Sequence, residues 1–416
     1  MNLSRFSVMV LVVWALALSG AEGATRYVRA EATGAGTGAD WNNAYTSIPA
    51  TLSRGDTFYV ADGDYTESAW QFDDALSGTT VTTIKKATVA DHGTGTGWLD
   101  SYGDGQAVLL QVRFTTGYWT FDGNSKGSYG FSVRPTSQAR GVWVEGTSRN
   151  VIVRNVSVDC NGADATTRCL QVSSGAQQVL VQNCELFASE NDTISMGNVT
   201  ECTFDDVYMH SRRTGAGIHG DAMEIWGGTS NTVKNCRFAW NGQQIFFGGG
   251  KTHGVWHIYN NRFYGGPSAG KGIHPHSTNP TVGPIYVYNN TFNDLNIGMD
   301  LDSNTTGDVK NNIFLNIGSN VQFGSTSHDY NYFETGLSTG GEANAQSGGD
   351  PFVDEPANNY RLASPTAPGA VLPEPYNADP DDVRRGSDGV WDRGAFESAP
   401  AGARPPSAPT GLEVRL

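Results

Sequence analysis

Residues 151–333 repeat one short pattern of apolar and polar positions. An alternating apolar run ends in an Asn or Cys that stands two residues before a further apolar residue, as in VLVQNCELF, TECTF, TVKNCRF, HIYNNRF, IYVYNNTF, DVKNNIF and DYNYF. Equivalent positions recur after 18 to 34 residues, and VIVRNVSV at Val151 adds one further turn. A period of two marks strands, no helical period competes with it, and the runs are separated by Gly, Asn, Asp and Ser. Units this short cannot bury an apolar face alone, so they must stack on one another. The expected fold is therefore an all-β solenoid, with Asn261, Asn290, Asn312 and Asn331 superposed as an inward ladder and Cys184, Cys202 and Cys236 stacked inside as packing residues.

Aligning the repeats brings out a second strand in each: MEIW from Met223, IFFG from Ile245, IHPH from Ile273, MDLD from Met299 and VQFG from Val321. Their first and third residues are apolar, the proline apart, and should point inward; the second and fourth then face solvent. This register predicts one outward row of Glu224, Phe246, His274, Asp300 and Gln322, beside a parallel row of Trp226, Gly248, His276 and Asp302. A slip by one residue would bury the acids and expose the apolar side chains. Successive coils lie about 4.8 Å apart, so neighbours within a row can touch.

The rows carry candidate chemistry. A carboxylate beside an imidazole favours its charged form and orients the ring, so His274 with Asp300, and His276 with Asp302, are candidates for proton transfer. The same residues suit a metal site, and a merely solvated face is the third reading. Trp226 and Phe246, exposed in a polar groove, would be platforms for sugar rings. His219 and Asp221 precede Glu224 at a glycine-rich corner where backbone can approach a ligand closely. Lys271, Lys251, Arg212 and Arg213 enter the same face and supply positive charge.

Composition narrows the setting. The chain of 416 residues opens with Arg5 and the apolar run FSVMVLVVWALAL, followed by SGAEGA; this is the pattern of a secretory signal ending near residue 23, and it implies a secreted or periplasmic product. No later run is long enough for a membrane span. With 42 Asp and Glu against 27 Lys and Arg, the net charge of -15 argues against nucleic acid as a partner. Five cysteines are too few to build the fold from disulfides, although Cys160 and Cys169 flank the loop CNGADATTRC and are placed to be bridged. The tail APAGARPPSAPTGLEVRL reads as a linker, and its end resembles the first strand of a fibronectin type III module.

The opening GTGADWNNAYTSI and GDTFYVADGDYTE, the stacked NN repeats and the closing WDRGAFE together resemble the secreted bacterial right-handed parallel β-helix proteins of the pectate-lyase-like superfamily. The resemblance covers about residues 25 to 397. It implies a single-stranded right-handed parallel β-helix over residues 57–335, with a signal peptide at 1–23, an N-terminal cap at 24–56, a C-terminal cap at 336–398 and the tail at 399–416. It further implies a monomeric, carbohydrate-active protein. A polysaccharide lyase cleaving an acidic polymer by β-elimination is the first expectation: His274, Asp300, Glu224, His276 and Lys271 are the catalytic candidates, and His219, Asp221, Trp226, Phe246, Arg213 and Gln322 are the substrate-binding ones. Calcium would be held at Asp300 and Asp302. The alternatives are a glycoside hydrolase with paired carboxylates and a non-catalytic carbohydrate-binding β-helix. The Asn-Thr-Asp, Asp-Asp and Gly-His-Gly set of the polygalacturonase branch is absent.

Overall fold

The computed structural model describes residues 23–136, 139–160, 167–188, 191–211, 220–239 and 242–398. Within them the chain winds as a right-handed parallel β-helix, and no α-helix is present. Each coil lays down three strands. In one typical coil they are Arg149–Arg154 on a first face, Val156–Asp159 on a second and Arg168–Val172 on a third, after which Gln177–Gln182 begins the next coil on the first face. Registers are parallel on every face, with Val151 against Val179, Ser157 against Glu185 and Leu170 against Ile194. Parallel pairing extends outside residues 57–335, from Thr25–Val28 at one end to Gln346–Gly348 at the other.

The repeated Asn explains the sharp corner between the first two faces. Asn155, Asn183, Asp206, Asn235, Asn260, Asn289, Asn311 and Tyr330 all sit there with φ between 50 and 61°, a left-handed conformation that Asn and Asp tolerate better than branched residues. The residue that follows each corner points inward. Asn261, Asn290, Asn312 and Asn331 are fully buried and form the expected ladder: the backbone N–H and side-chain amide of Asn290 both donate to Asn312 Oδ1, at 2.9 and 3.0 Å, and its own Oδ1 accepts from Asn261. Glu342 closes the ladder, accepting from Asn331 N and Nδ2 at 2.9 and 2.6 Å.

Cys184 and Cys236 continue this column toward the N-terminus, with Val207 between them, as the registers of the following residues show. Cys202 departs from the expectation. It lies on the first face, before Thr203, and its backbone N–H donates to Asn231 Oδ1. Cys202 leads into the first-face strand Thr203–Asp205, and the corner follows only at Asp206, so the same Cys-x-Phe spacing falls one strand earlier. All five cysteines are buried free thiols, Cys160 and Cys169 included. Inside the second face Phe238, Phe263, Phe292, Phe314 and Phe333 stack with ring centroids 4.6 to 5.5 Å apart, which is the coil spacing filled by aromatic rings.

The C-terminal segment determines which surface stays open. Phe352, Tyr360, Leu362 and Phe396 cluster with Tyr208, Ala239 and Tyr264 on the outside of the second face. Leu372, Tyr376 and Trp391 cover Tyr259 and Tyr288 at the edge of the first. The outer side of the third face receives no such cover from this segment.

Candidate functional site

The third face presents the expected row. Register pairs Glu224 with Phe246, Phe246 with His274, and Asp300 with Gln322, while Ile273 against Met299 sets His274 beside Asp300. Met223, Ile225, Ile245 and Ile273 are fully buried beneath it, so the alternation alone aims these side chains outward.

At one end of the row Lys271, His274 and Asp300 converge. Lys271 Nζ donates to Asp300 Oδ2 at 2.8 Å and lies 3.4 Å from His274 Nε2. His274 Nδ1 is 3.1 Å from the same carboxylate oxygen, off the direction of a hydrogen bond, so this contact is electrostatic. The sequence led us to expect a charged imidazole. Instead the His274 pKa lies below the ordinary value, because burial and the Lys271 ammonium outweigh the pull of Asp300. The ring is thus a neutral acceptor at neutral pH.

At the other end stands an acidic group that the sequence reading missed in part. Asp192, Asp221 and the ring-facing row residue Glu224 crowd together, with Arg168 Nη2 3.4 Å from Asp192 and 4.0 Å from Glu224. Burial and the neighbouring carboxylates of Glu224 and Asp221 push Asp192 up to about 8, and it shares a hydrogen bond with Glu224. Asp192 stands three residues before the outward position Ser195, as Asp221 stands three before Glu224, and the two strands are in register. Extending the row alignment upstream to TISM at Thr193 would have found it.

Several expectations change. Asp221 is 1 % exposed, so it lies beneath the row, where its charge bears on Asp192. Phe246 is 6 % exposed, because His274 stacks on it at 5.7 Å and His276 meets it edge-on; it is a spacer, not an open platform. Trp226 is exposed and its ring lies over Gly248, where no side chain intervenes. His276 and Asp302 do not pair. Thr278 donates from its backbone N–H to His276 Nδ1 at 3.2 Å, and Asp302 caps its own turn through Asn304 N and Thr305 Oγ1. Gln322 is exposed at the end of the row. His219, Arg213 and Arg212 lie outside the described residues.

Asp300 and Asp302 do not fit a calcium ion. Asp300 already neutralises an ammonium that would repel the cation, and Asp302 is occupied by its turn. Among the described residues no group of three or more His, Cys, Asp or Glu is arranged to hold a metal.

Comparison with known proteins agrees with the coil geometry. Residues 168–335 match the family model described as a right handed beta helix region. The crystal structure of pectate lyase Pel9A superposes with a TM-score of 0.64 at 16% identity, covering 90% of this chain and 96% of that one. A rhamnogalacturonan lyase matches at a TM-score of 0.45 and 10% identity, over 78% of this chain and 87% of the other. No curated protein matches the sequence. No described helix is long and apolar enough to cross a membrane. By its stacked coils, its matched repeat region and its superposition on Pel9A, the chain has the fold of a right-handed parallel β-helix.

Proposed function

We propose that the chain is an exported polysaccharide lyase that cleaves an acidic polysaccharide by β-elimination on the third face. The observation that carries the reading is the Lys271–His274–Asp300 group. A neutral imidazole stands beside an ammonium, 3.4 Å away, and a carboxylate braces both. Elimination next to a uronate carboxyl needs a base for the ring proton and a cation to neutralise the carboxylate. His274 takes the proton, Lys271 meets the substrate carboxylate, and Asp300 positions the two. Glu224 and Trp226 hold the sugar rings on the acidic side of the row. No step runs through calcium, because Asp300 is paired with Lys271 and Asp302 caps its own turn. The superposition on a pectate lyase supports the fold on which this chemistry would run.

The hydrolase alternative is weaker on distance. A glycosidase separates its carboxyl groups by about 5 to 9.5 Å, whereas Asp192 and Glu224 are in hydrogen-bond contact. Glu224 and Asp300 are three coils apart in register, about 14 Å between backbones.

The test is incubation with a panel of acidic and neutral polysaccharides, following unsaturated products by ultraviolet absorbance alongside reducing ends. Both signals together are expected. Reducing ends alone would replace the lyase with a hydrolase, and silence on every polymer would leave a binding protein. His274→Ala should lower turnover by about 10² to 10⁴, the scale of a general base, with the melting temperature unchanged.

A further inference from the structure

The outward row does not end at Glu224. Upstream it continues through Ser195, Gln171, Trp143 and Arg113, each in register with the next. Around Trp143 the arrangement is unlike the rest of the face. Two guanidinium groups lie over the indole, Arg113 at 4.4 Å and Arg140 at 4.8 Å from the ring centroid. Trp143 Nε1 donates to Ser173 Oγ at 2.9 Å, which fixes the ring plane. Arg113 is neutralised by Glu145 at its outer edge.

Among the described residues no carboxylate neutralises Arg140. It stands directly against Arg168 of the next coil, and Arg168 is already committed to Asp192 and Glu224. Arg140 Nε donates to Gln171 Oε1. Among the described residues its two terminal nitrogens have no hydrogen-bond partner and no carboxylate faces it. Burial and the like charge of Arg168 both act against its cation. A planar guanidinium held by stacking, whose two terminal nitrogens no described residue uses, is shaped for two parallel hydrogen bonds to an oxyanion.

We infer that Arg140, held against Trp143, forms an anion-binding subsite for a charged saccharide chain, whose carboxylate or sulfate oxygens seat on the Arg140 fork. The subsite lies five coils from His274 along the row, about 24 Å. A chain must therefore be long to occupy both places, and binding at Arg140 holds a polymer in register without touching the reacting bond. The inference rests on the lyase reading only for the direction in which the polymer runs; the subsite itself is a statement about affinity.

Affinity is accordingly what tests it, by titration of the full chain with polygalacturonate, a sulfated dextran and uncharged dextran over a range of salt. With the wild-type protein, polygalacturonate or the sulfated polymer binds and uncharged dextran does not compete. Arg140→Ala should weaken that binding about tenfold, a loss on the scale of a charge-assisted pair, and reduce its salt dependence, while the melting temperature and any cleavage of short oligosaccharides stay unchanged. Arg140→Lys should recover the salt dependence but not the affinity, since an ammonium lacks the fork. Loss confined to polygalacturonate identifies the anion as carboxylate, and loss confined to the sulfated polymer identifies it as sulfate. Equal polyanion affinity of Arg140→Ala and wild type overturns the subsite. Binding that depends on Arg140 without any cleavage product would sink the lyase reading and leave the subsite standing.

Discussion

Asp192 keeps its proton to about pH 8 because burial and two neighbouring carboxylates disfavour its charge, and Arg168 only partly compensates. The unfolded chain releases that proton near the ordinary value of 3.8. Between these pH values the unfolded state binds fewer protons than the folded one, so this group's contribution to stability is complete below about pH 4 and falls as pH rises toward 8. Asp192→Asn should flatten that decline and raise the melting temperature at pH 8 relative to wild type. A series of melts across pH checks it; an unchanged slope would show that the proton is held elsewhere. His274 responds in the opposite sense: Lys271 lowers its pKa, so Lys271→Ala should raise the imidazole pKa, read directly by NMR titration of the ring. Alternation by two made the outward row legible, and with it Glu224, His274 and Asp300. Asp192 and Arg168 escaped because they stand three residues before the row, Asp192 ahead of its strand and Arg168 at the first residue of its own, where the alternation by two no longer marks the outward side.

The asparagine ladder is the element most completely written in the sequence, because each rung pairs a left-handed corner residue, Asn in three of the four rungs and Tyr330 in the last, with an inward Asn. Asn290→Ala removes the acceptor of Asn261 N and Nδ2 and the donor to Ile258 O at 2.9 Å. An unsatisfied buried polar group costs about 1 to 3 kcal/mol, and a drop in the denaturation midpoint on that scale is expected. A midpoint equal to wild type would mean that water replaces the amide. Trp226 rests on a different feature of the strands, the bare backbone of Gly248. A Cβ there would lie 2.9 Å from the Trp226 ring, so Gly248→Ala should tilt the indole, lower its affinity for sugars and leave the melting temperature little changed. Tryptophan fluorescence quenching by oligosaccharide measures this. The glycine was visible in IFFG; that a ring would use the space was not, since it depends on the side chain of the preceding coil.

The C-terminal segment is the part of the molecule that no repeat could announce, for its contacts join residues about a hundred positions apart. Arg385 is its anchor: from full burial it donates to Asn260 Oδ1 at 2.9 Å and to the carbonyls of Gly394 and Ala395 at 3.1 and 2.7 Å, and its charge faces Glu397, Asp379 and Asp392. WDRGAFE is legible as a motif, but its work is visible only in three dimensions: Arg393 donates to Asn331 O at 2.9 Å, locking the segment to the last rung of the ladder. Removing one partner of such a buried charge group costs about 3 to 5 kcal/mol. In a solenoid each coil contacts only its neighbours, so the damage should not be shared equally. Arg385→Ala is expected to raise amide exchange in Trp256–Tyr259, Thr281–Tyr288 and Thr305–Lys310, where Tyr376 and Trp391 lose their seat, while Thr57–Val60 and Thr82–Lys86 keep wild-type protection. Hydrogen exchange by mass spectrometry resolves the gradient. Uniform loss along all coils would mean that the helix unfolds as one unit, and the segment would then be a global clamp and not a local cover. Since that cover lies on the first and second faces and not on the row of the third, the first outcome also predicts that sugar binding on the row survives the substitution.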